Sequence, residues 1–325
     1  MKGRGHSYGL ILSILLLARG WTVLPASAQQ TNPSATGSDK ASQPANPLAA
    51  LAARAEATVK AATAQPTPRA ADGHPDLSGY WVIPGMGDQL AALGSPGISK
   101  DGKVLKPSLV GLSEQDEIKG DVAAKKRIDD PSLRPAYKSE FMAKVRENFE
   151  KSSLLDPSYR CMPAGVPRMG QPAEIVQTRG ALYLLYTDLV GPSAYRVIPM
   201  DGRKHDPDAE AMAMGDSVGH WEGDTLVIDV VNISPDTWLD HDGAFHDDKL
   251  HVVERFTRQG NALKYEVTVE DPTLFQKPWT PRPKINDVAF APGPWLVLGK
   301  PEQHVTENYP CVELDQSHLV TYEHH

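Results

Sequence analysis

The stretches SVGHWEGDTLVIDVV (217–231) and LHVVERFTRQGNALKYEVTV (250–269) decide the fold. In both, β-branched and aromatic residues recur with a period of two, and each run breaks at Glu222-Gly223-Asp224 or Gln259-Gly260-Asn261. A glycine flanked by polar residues between two alternating runs is a hairpin signal, because the tight turn needs a positive φ. The expected strands here are Ser217–Trp221, Thr225–Val231, Leu250–Thr257 and Leu263–Val269. Upstream, Tyr183–Asp188 and Tyr195–Met200 carry the same pattern. Consecutive hairpins make an antiparallel meander, and six or more such strands limit their exposed edges by closing into a barrel or stacking as a sandwich. A mainly β, lipocalin-like barrel is the expected architecture.

Further toward the N-terminus the pattern is mixed. Asp76–Ile83 reads as an opening strand, and Ser113–Ala123 and Ser139–Ser152 as short helices. In the second, Ser139 is placed to cap the N-terminus, and Met142, Val145 and Phe149 fall on one helical face. Residues 29–71 are rich in Ala, Pro, Gln, Thr and Ser, too poor in large apolar groups to offset their ordering entropy, and read as a flexible tether. Within it, Leu48–Ala64 can form an Ala-rich helix that is marginal by itself. One β-rich domain is expected over 72–325.

The first 28 residues read as a cleavable signal peptide. Lys2 and Arg4 precede the apolar run Leu10–Ala18, and Ala26-Ser27-Ala28 offers the small residues of a cleavage site. The apolar run is too short for a bilayer-spanning helix, so a periplasmic or secreted chain starting at Gln29 is expected, without stable membrane insertion. Cleavage removes three of the 33 basic residues and none of the 41 acidic ones, changing the formal net charge from −8 to −11. A surface that negative does not suit nucleic acid, whose binding rests on Lys and Arg neutralising phosphate. Outside the cytoplasm, the two cysteines, Cys161 and Cys311, read more readily as a disulfide than as free thiols or a metal site.

Several short motifs occur in order along the domain: DLSGYW (76–81), RCMPAGVPRM (160–169), DGRKH (201–205), MGDSVGHWEGDTLVID (214–229), TWLDHDGAFHDDKLHVVER (237–255) and DPTLFQKPWT (271–280). Together they resemble a widespread family of secreted bacterial proteins of unassigned function. The resemblance implies a calycin-like barrel and carries no activity with it. Asp216 stands where the pattern usually has an aromatic, and His220 where it usually has Arg, so a substrate shared with the family does not follow.

Gly215-Asp216-Ser217-Val218-Gly219 matches the nucleophile elbow of serine hydrolases, with Asp240 and His246 following in the right order. That motif needs a helix after the serine, and here a hairpin follows. The segment Asp240–Glu254 is more informative, being crowded with His and carboxylate groups. Alternation places Val252, Glu254 and Phe256 on the apolar face of their strand, so Glu254 points toward the core, where a carboxylate must be paired, bonded or functional. Two readings stay open. Glu254 is a general acid or base working with His246, oriented by Asp240, or it is half of an internal ion pair with Arg168, Arg179 or Arg196. A further alternative is a metal-dependent enzyme with ligands such as His205, Asp240 and His246, although nothing in their spacing requires a metal. The expected function is binding of a small apolar or aromatic molecule within the barrel, lined by Trp81, Trp221 and Trp238 with His205 and His220. Cofactor-independent lyase or isomerase chemistry at His246, Glu254 and Asp240 would accompany it, and a non-catalytic lipocalin-type binding protein is the alternative.

Overall fold

The computed structural model describes residues 47–85, 128–130, 134–187, 194–281, 284–285, 288–289 and 293–306. Among these the strands are β1 (Gly79–Val82), β2 (Glu174–Gln177), β3 (Ala181–Leu185), β4 (Tyr195–Pro199), β5 (Asp216–Glu222), β6 (Thr225–Val231), β7 (His251–Gln259), β8 (Ala262–Glu270), β9 (Lys284–Ile285), β10 (Val288–Ala289) and β11 (Trp295–Leu298). Nine of them form one antiparallel sheet in the order β4-β3-β2-β1-β11-β8-β7-β6-β5, while β9 and β10 pair separately. The two hairpins read from the sequence close in the expected register, with Glu222 opposite Thr225 and Gln259 opposite Ala262. Gly223 and Gly260 take positive φ at the first loop position, where a side chain would be strained.

The sheet curls into a nearly closed barrel. Its two outermost strands, β4 and β5, meet through side chains: Arg196 donates to Ser217 at 2.8 Å, and Gly219 lies so close to β4 that a Cβ there would sit 2.9 Å from Ile198 Cγ2. Because nine strands alternate in direction, the first and last run the same way. They cannot be joined by a hairpin. The connection 200–215 instead returns along the barrel, with His205 against Asp216 on β5 and Asp229 on β6 and Met212 N donating to Asn232 O.

Inward positions are apolar and fully buried, including Leu226, Ile228 and Val230 on β6, Val252 and Phe256 on β7, Leu263 and Val269 on β8, and Leu182, Leu184 and Ile198 on β3 and β4. Burial of each large side chain contributes roughly 1.5–3 kcal/mol. Phe256 faces Tyr265 across β7 and β8, with ring centroids 4.8 Å apart.

Caps cover both ends. At the Val231 end stands helix α2 (Met142–Glu150), preceded by a 3-10 turn over Ser139–Phe141 and followed by α3 (Ser152–Leu155). Val145 and Phe149 bury as the helical spacing predicts, but Ser139 does not cap α2, since the 3-10 turn intervenes. Tyr137, Phe141, Phe245 and Phe275 form an aromatic cluster here, with Tyr137 edge-on to Phe275 at 5.0 Å.

At the Gly260 end lies α1 (Pro47–Thr63), which corrects the tether reading over the described residues 47–71. Ala55 and Val59 are buried, Asn261 N donates to Ala62 O at 2.9 Å, and Gly260 N donates to Thr67 Oγ1 at 2.7 Å. The marginal helix is stabilised by packing on the barrel, a long-range effect that composition does not encode. The ordered domain therefore begins before Asp72. The signal peptide, the expected helix Ser113–Ala123 and Cys311 lie outside the described residues. No helix among the described residues is long and apolar enough to cross a membrane.

Candidate functional site

The barrel wall turns one polar centre inward. Glu254 is 0% exposed, as the alternation of β7 predicts. Its Oε2 accepts from Arg196 Nη1 at 2.5 Å and its Oε1 from the Tyr265 hydroxyl at 2.7 Å. Arg196 also donates to the Tyr186 hydroxyl at 3.0 Å and to Ser217 Oγ at 2.8 Å. Residues from β4, β5, β7 and β8, with Tyr186 just after β3, thus converge across the seam. Burial pushes Arg196 toward losing its proton, but the adjoining Glu254 carboxylate outweighs it and the guanidinium is held more firmly charged. The Tyr265 hydroxyl is raised well above its usual range by burial and by Glu254. Arg196 Nε, also buried, has no hydrogen-bond partner among the described residues.

Of the three arginines considered for an ion pair, Arg196 is the one that meets Glu254. His246 is engaged elsewhere. It is 3% exposed, with Nδ1 2.9 Å from Asp247 O and Nε2 2.9 Å from Thr237 Oγ1. A carbonyl can only accept, so in the neutral ring Nδ1 carries the proton, while the Thr237 hydroxyl that faces Nε2 donates to Ser234 O at 2.9 Å. Burial lowers the His246 pKa, which favours this neutral form. Ser217, the centre of the hydrolase-like motif, sits within β5 and accepts from Arg196, with a hairpin following it.

A second polar cluster lies beyond the Val231 end, where two motif segments meet. Gly165 packs so tightly on Thr237 that a Cβ would come within 2.8 Å of the Thr237 Cβ. Trp238 bridges to Phe245, making 238–245 a small hairpin. Inside it Asp240 Oδ1 accepts from Asp242 N at 2.9 Å and Ala244 N at 3.0 Å. Burial, and then the neighbouring Asp242, push the Asp240 carboxyl up to about 6. Next to it Arg168 grips Asp156 with both nitrogens, at 2.8 and 2.6 Å, and its Nη2 lies 2.8 Å from His241 Nδ1. A guanidinium only donates, so His241 Nδ1 accepts and its proton sits on Nε2. Burial works against the Asp156 charge, but the Arg168 contacts outweigh it and the carboxyl lies below the usual range. The composition of the 160–169 motif gave no sign that Arg168 and Asp156 belong to this cluster, because their meeting depends on the fold.

The expected aromatic lining is not gathered in one place. Trp221 is at the Gly260 end, stacked on His74 with centroids 4.6 Å apart, and Trp81 donates to Leu77 O beneath the Arg258 guanidinium. Trp238 lies beyond the opposite end of β6, since seven residues of strand span about 20 Å. His205 and His220 are on the outer wall, His205 against Asp216 and Asp229 and His220 toward Glu222. His205, Asp240 and His246 therefore form no ligand set, and among the described residues no group of three or more His, Cys, Asp or Glu is arranged to hold a metal ion.

The class these features define is a nearly closed antiparallel β-barrel with a charged centre in its interior. Comparison with protein-family models, curated proteins and solved structures found no match to the chain.

Proposed function

We propose that the chain is an exported, barrel-type protein that binds a small, largely apolar or aromatic molecule carrying one hydrogen-bond acceptor. The observation that carries this reading is the Arg196 Nε, a buried donor without a partner among the described residues, set in an otherwise apolar wall. Leaving such a donor unsatisfied costs about 1–3 kcal/mol, which an acceptor on a guest molecule relieves. Apolar surroundings with a few fixed polar groups are the general pattern of small-molecule sites. The signal-peptide pattern supports placement in the periplasm or outside the cell.

The test uses 1-anilinonaphthalene-8-sulfonate, an aromatic probe with acceptor oxygens. Saturable uptake of one probe per chain, accompanied by a shift of the Arg196 Nε–H resonance, is expected. Native mass spectrometry of gently purified protein should likewise show a retained small molecule. Absence of both uptake and retained mass would exclude the reading.

Acid/base chemistry without a cofactor, of a lyase or isomerase kind, is a second reading, favoured by Asp240. Its carboxyl, at about 6, exchanges protons near neutral pH and lies beside Arg168 and His241. Glu254 suits this role less well, since both its oxygens are engaged by Arg196 and Tyr265. Should a reaction be found, Asp240→Asn is expected to abolish its pH dependence near 6, and retention of that dependence would rule Asp240 out.

A further inference from the structure

Arg196 meets β5 with one particular edge of its guanidinium. Nη1 serves Glu254 Oε2 and the Tyr186 hydroxyl, at 2.5 and 3.0 Å, while Nη2 donates to Ser217 Oγ at 2.8 Å. Nε is buried and has no partner among the described residues. The N–H bonds of Nε and Nη2 leave the same edge of the plane side by side and nearly parallel, the fork that holds carboxylates and phosphates in bidentate pairs. An acceptor on Nε therefore stands next to Ser217 Oγ, which already occupies the Nη2 side of the fork.

Ser217 is itself buried, and because its oxygen accepts from Nη2 its own proton is left to donate. No acceptor for that proton occurs among the described residues. The surroundings are apolar: Val230 stands opposite Ser217, Leu184 opposite Arg196, and Ile228 and Val267 opposite Glu254. Two donors, Arg196 Nε–H and Ser217 Oγ–H, thus adjoin one position in an apolar wall.

We propose that these two donors read a carbonyl oxygen on the guest, each bonding one of its two lone pairs, so that the molecules bound are apolar or aromatic compounds of the carbonyl class. The inference rests on the binding reading and adds to it the chemistry of the guest and a residue, Ser217, that selects for it. A carbonyl oxygen holds two lone pairs spread in one plane and suits two donors arriving from the two sides of the seam. A ring nitrogen offers a single lone pair and leaves one donor unmet. A hydroxyl brings a further proton, and both oxygens of Glu254, the carboxylate of this centre, are already engaged. Ser217 has no nucleophile's part in this, since its hydrogen-bond partner is a guanidinium and not a base.

A matched pair of probes tests the fork on the intact protein: 2-acetylnaphthalene, and 2-isopropenylnaphthalene, which carries a methylene group in place of the carbonyl oxygen at nearly the same shape. The ketone is expected to bind roughly tenfold more tightly or better, the range of one hydrogen bond to a charged group. The NMR signal of an isotopically labelled carbonyl carbon should move downfield on binding. In Ser217→Ala the ratio of the two dissociation constants should fall several-fold and the carbonyl signal should move less; a general loosening of the barrel would weaken both probes alike and leave the ratio unchanged. Equal affinity for the two probes, a carbonyl signal that does not move, or a ratio undiminished in Ser217→Ala would overturn the fork while the binding reading stands. Uptake of 1-anilinonaphthalene-8-sulfonate without uptake of the ketone would likewise overturn the fork alone, whereas failure of all three compounds removes the binding reading with it.

Discussion

Glu254 shows how far a single position can be read from sequence. Strict alternation over β7 puts it inside, and it is inside, because a one-residue slip would turn Val252 and Phe256 outward with it. Its partner could be narrowed only to three arginines. Which one arrives depends on where β4 meets β5, and local pattern carries no information on that. Replacing Glu254 with Gln leaves Arg196 buried without its counter-charge, so a loss of roughly 3–5 kcal/mol is expected in urea unfolding. Tyr265→Phe removes a hydroxyl bonded to the same carboxylate and should cost about 1.5–3 kcal/mol. Asp240 makes the opposite kind of prediction. Its carboxyl titrates at about 6 in the folded chain against an ordinary value near ~3.9, so folding favours its protonated form. That contribution is complete below about pH 4 and is lost as the pH rises through about 6. Because the side chain is only partly shielded, its size is at most about 2 kcal/mol. Unfolding free energies taken across this window should rise with pH for Asp240→Asn relative to wild type, and parallel curves would show that the carboxyl is not perturbed.

Strand elements were legible where alternation ran for five residues or more and a turn followed, as in β5 to β8. The sequence reading did not include β2 and β11. Glu174–Gln177 is too short for a period to register, and Trp295–Leu298 is an unbroken apolar run whose strand character comes from pairing with β1 and β8. For α1 the gap was of another kind: the helix was foreseen and its docking was not. The seam between β4 and β5 is an element-scale feature with its own test. Gly219→Ala would place a Cβ 2.5 Å from Met200 Sδ and 2.9 Å from Ile198 Cγ2, forcing the strands apart at about 1–3 kcal/mol. Adding Met200→Ala should restore part of that loss in thermal melts, since it removes the closer of the two clashes. A double variant no more stable than the single one would mean that the seam does not bear the strain.

Across the whole molecule, the motif segments that looked separate in sequence converge at one end of the barrel, 156–168 against 237–247, while the three tryptophans expected to share a pocket are dispersed. The order of the motifs along the chain does not say which of them touch, whereas the barrel's winding does. The proposed Cys161–Cys311 link should appear in a non-reducing peptide map as one crosslinked pair, and two free thiols in oxidised protein would refute it. The sheet order has one more consequence, for synthesis. β11 stands between β1 and β8, so the first and last strands of the sheet, more than two hundred residues apart in the chain, pair at its centre. Until Trp295–Leu298 has emerged from the ribosome, β1 and β8 are both open edges and the ring cannot close. A chain stopped at residue 294 should therefore be cleaved readily by protease where the full chain resists. Closure of the ring must therefore wait until β11 has been made, however early the β5–β8 hairpins form.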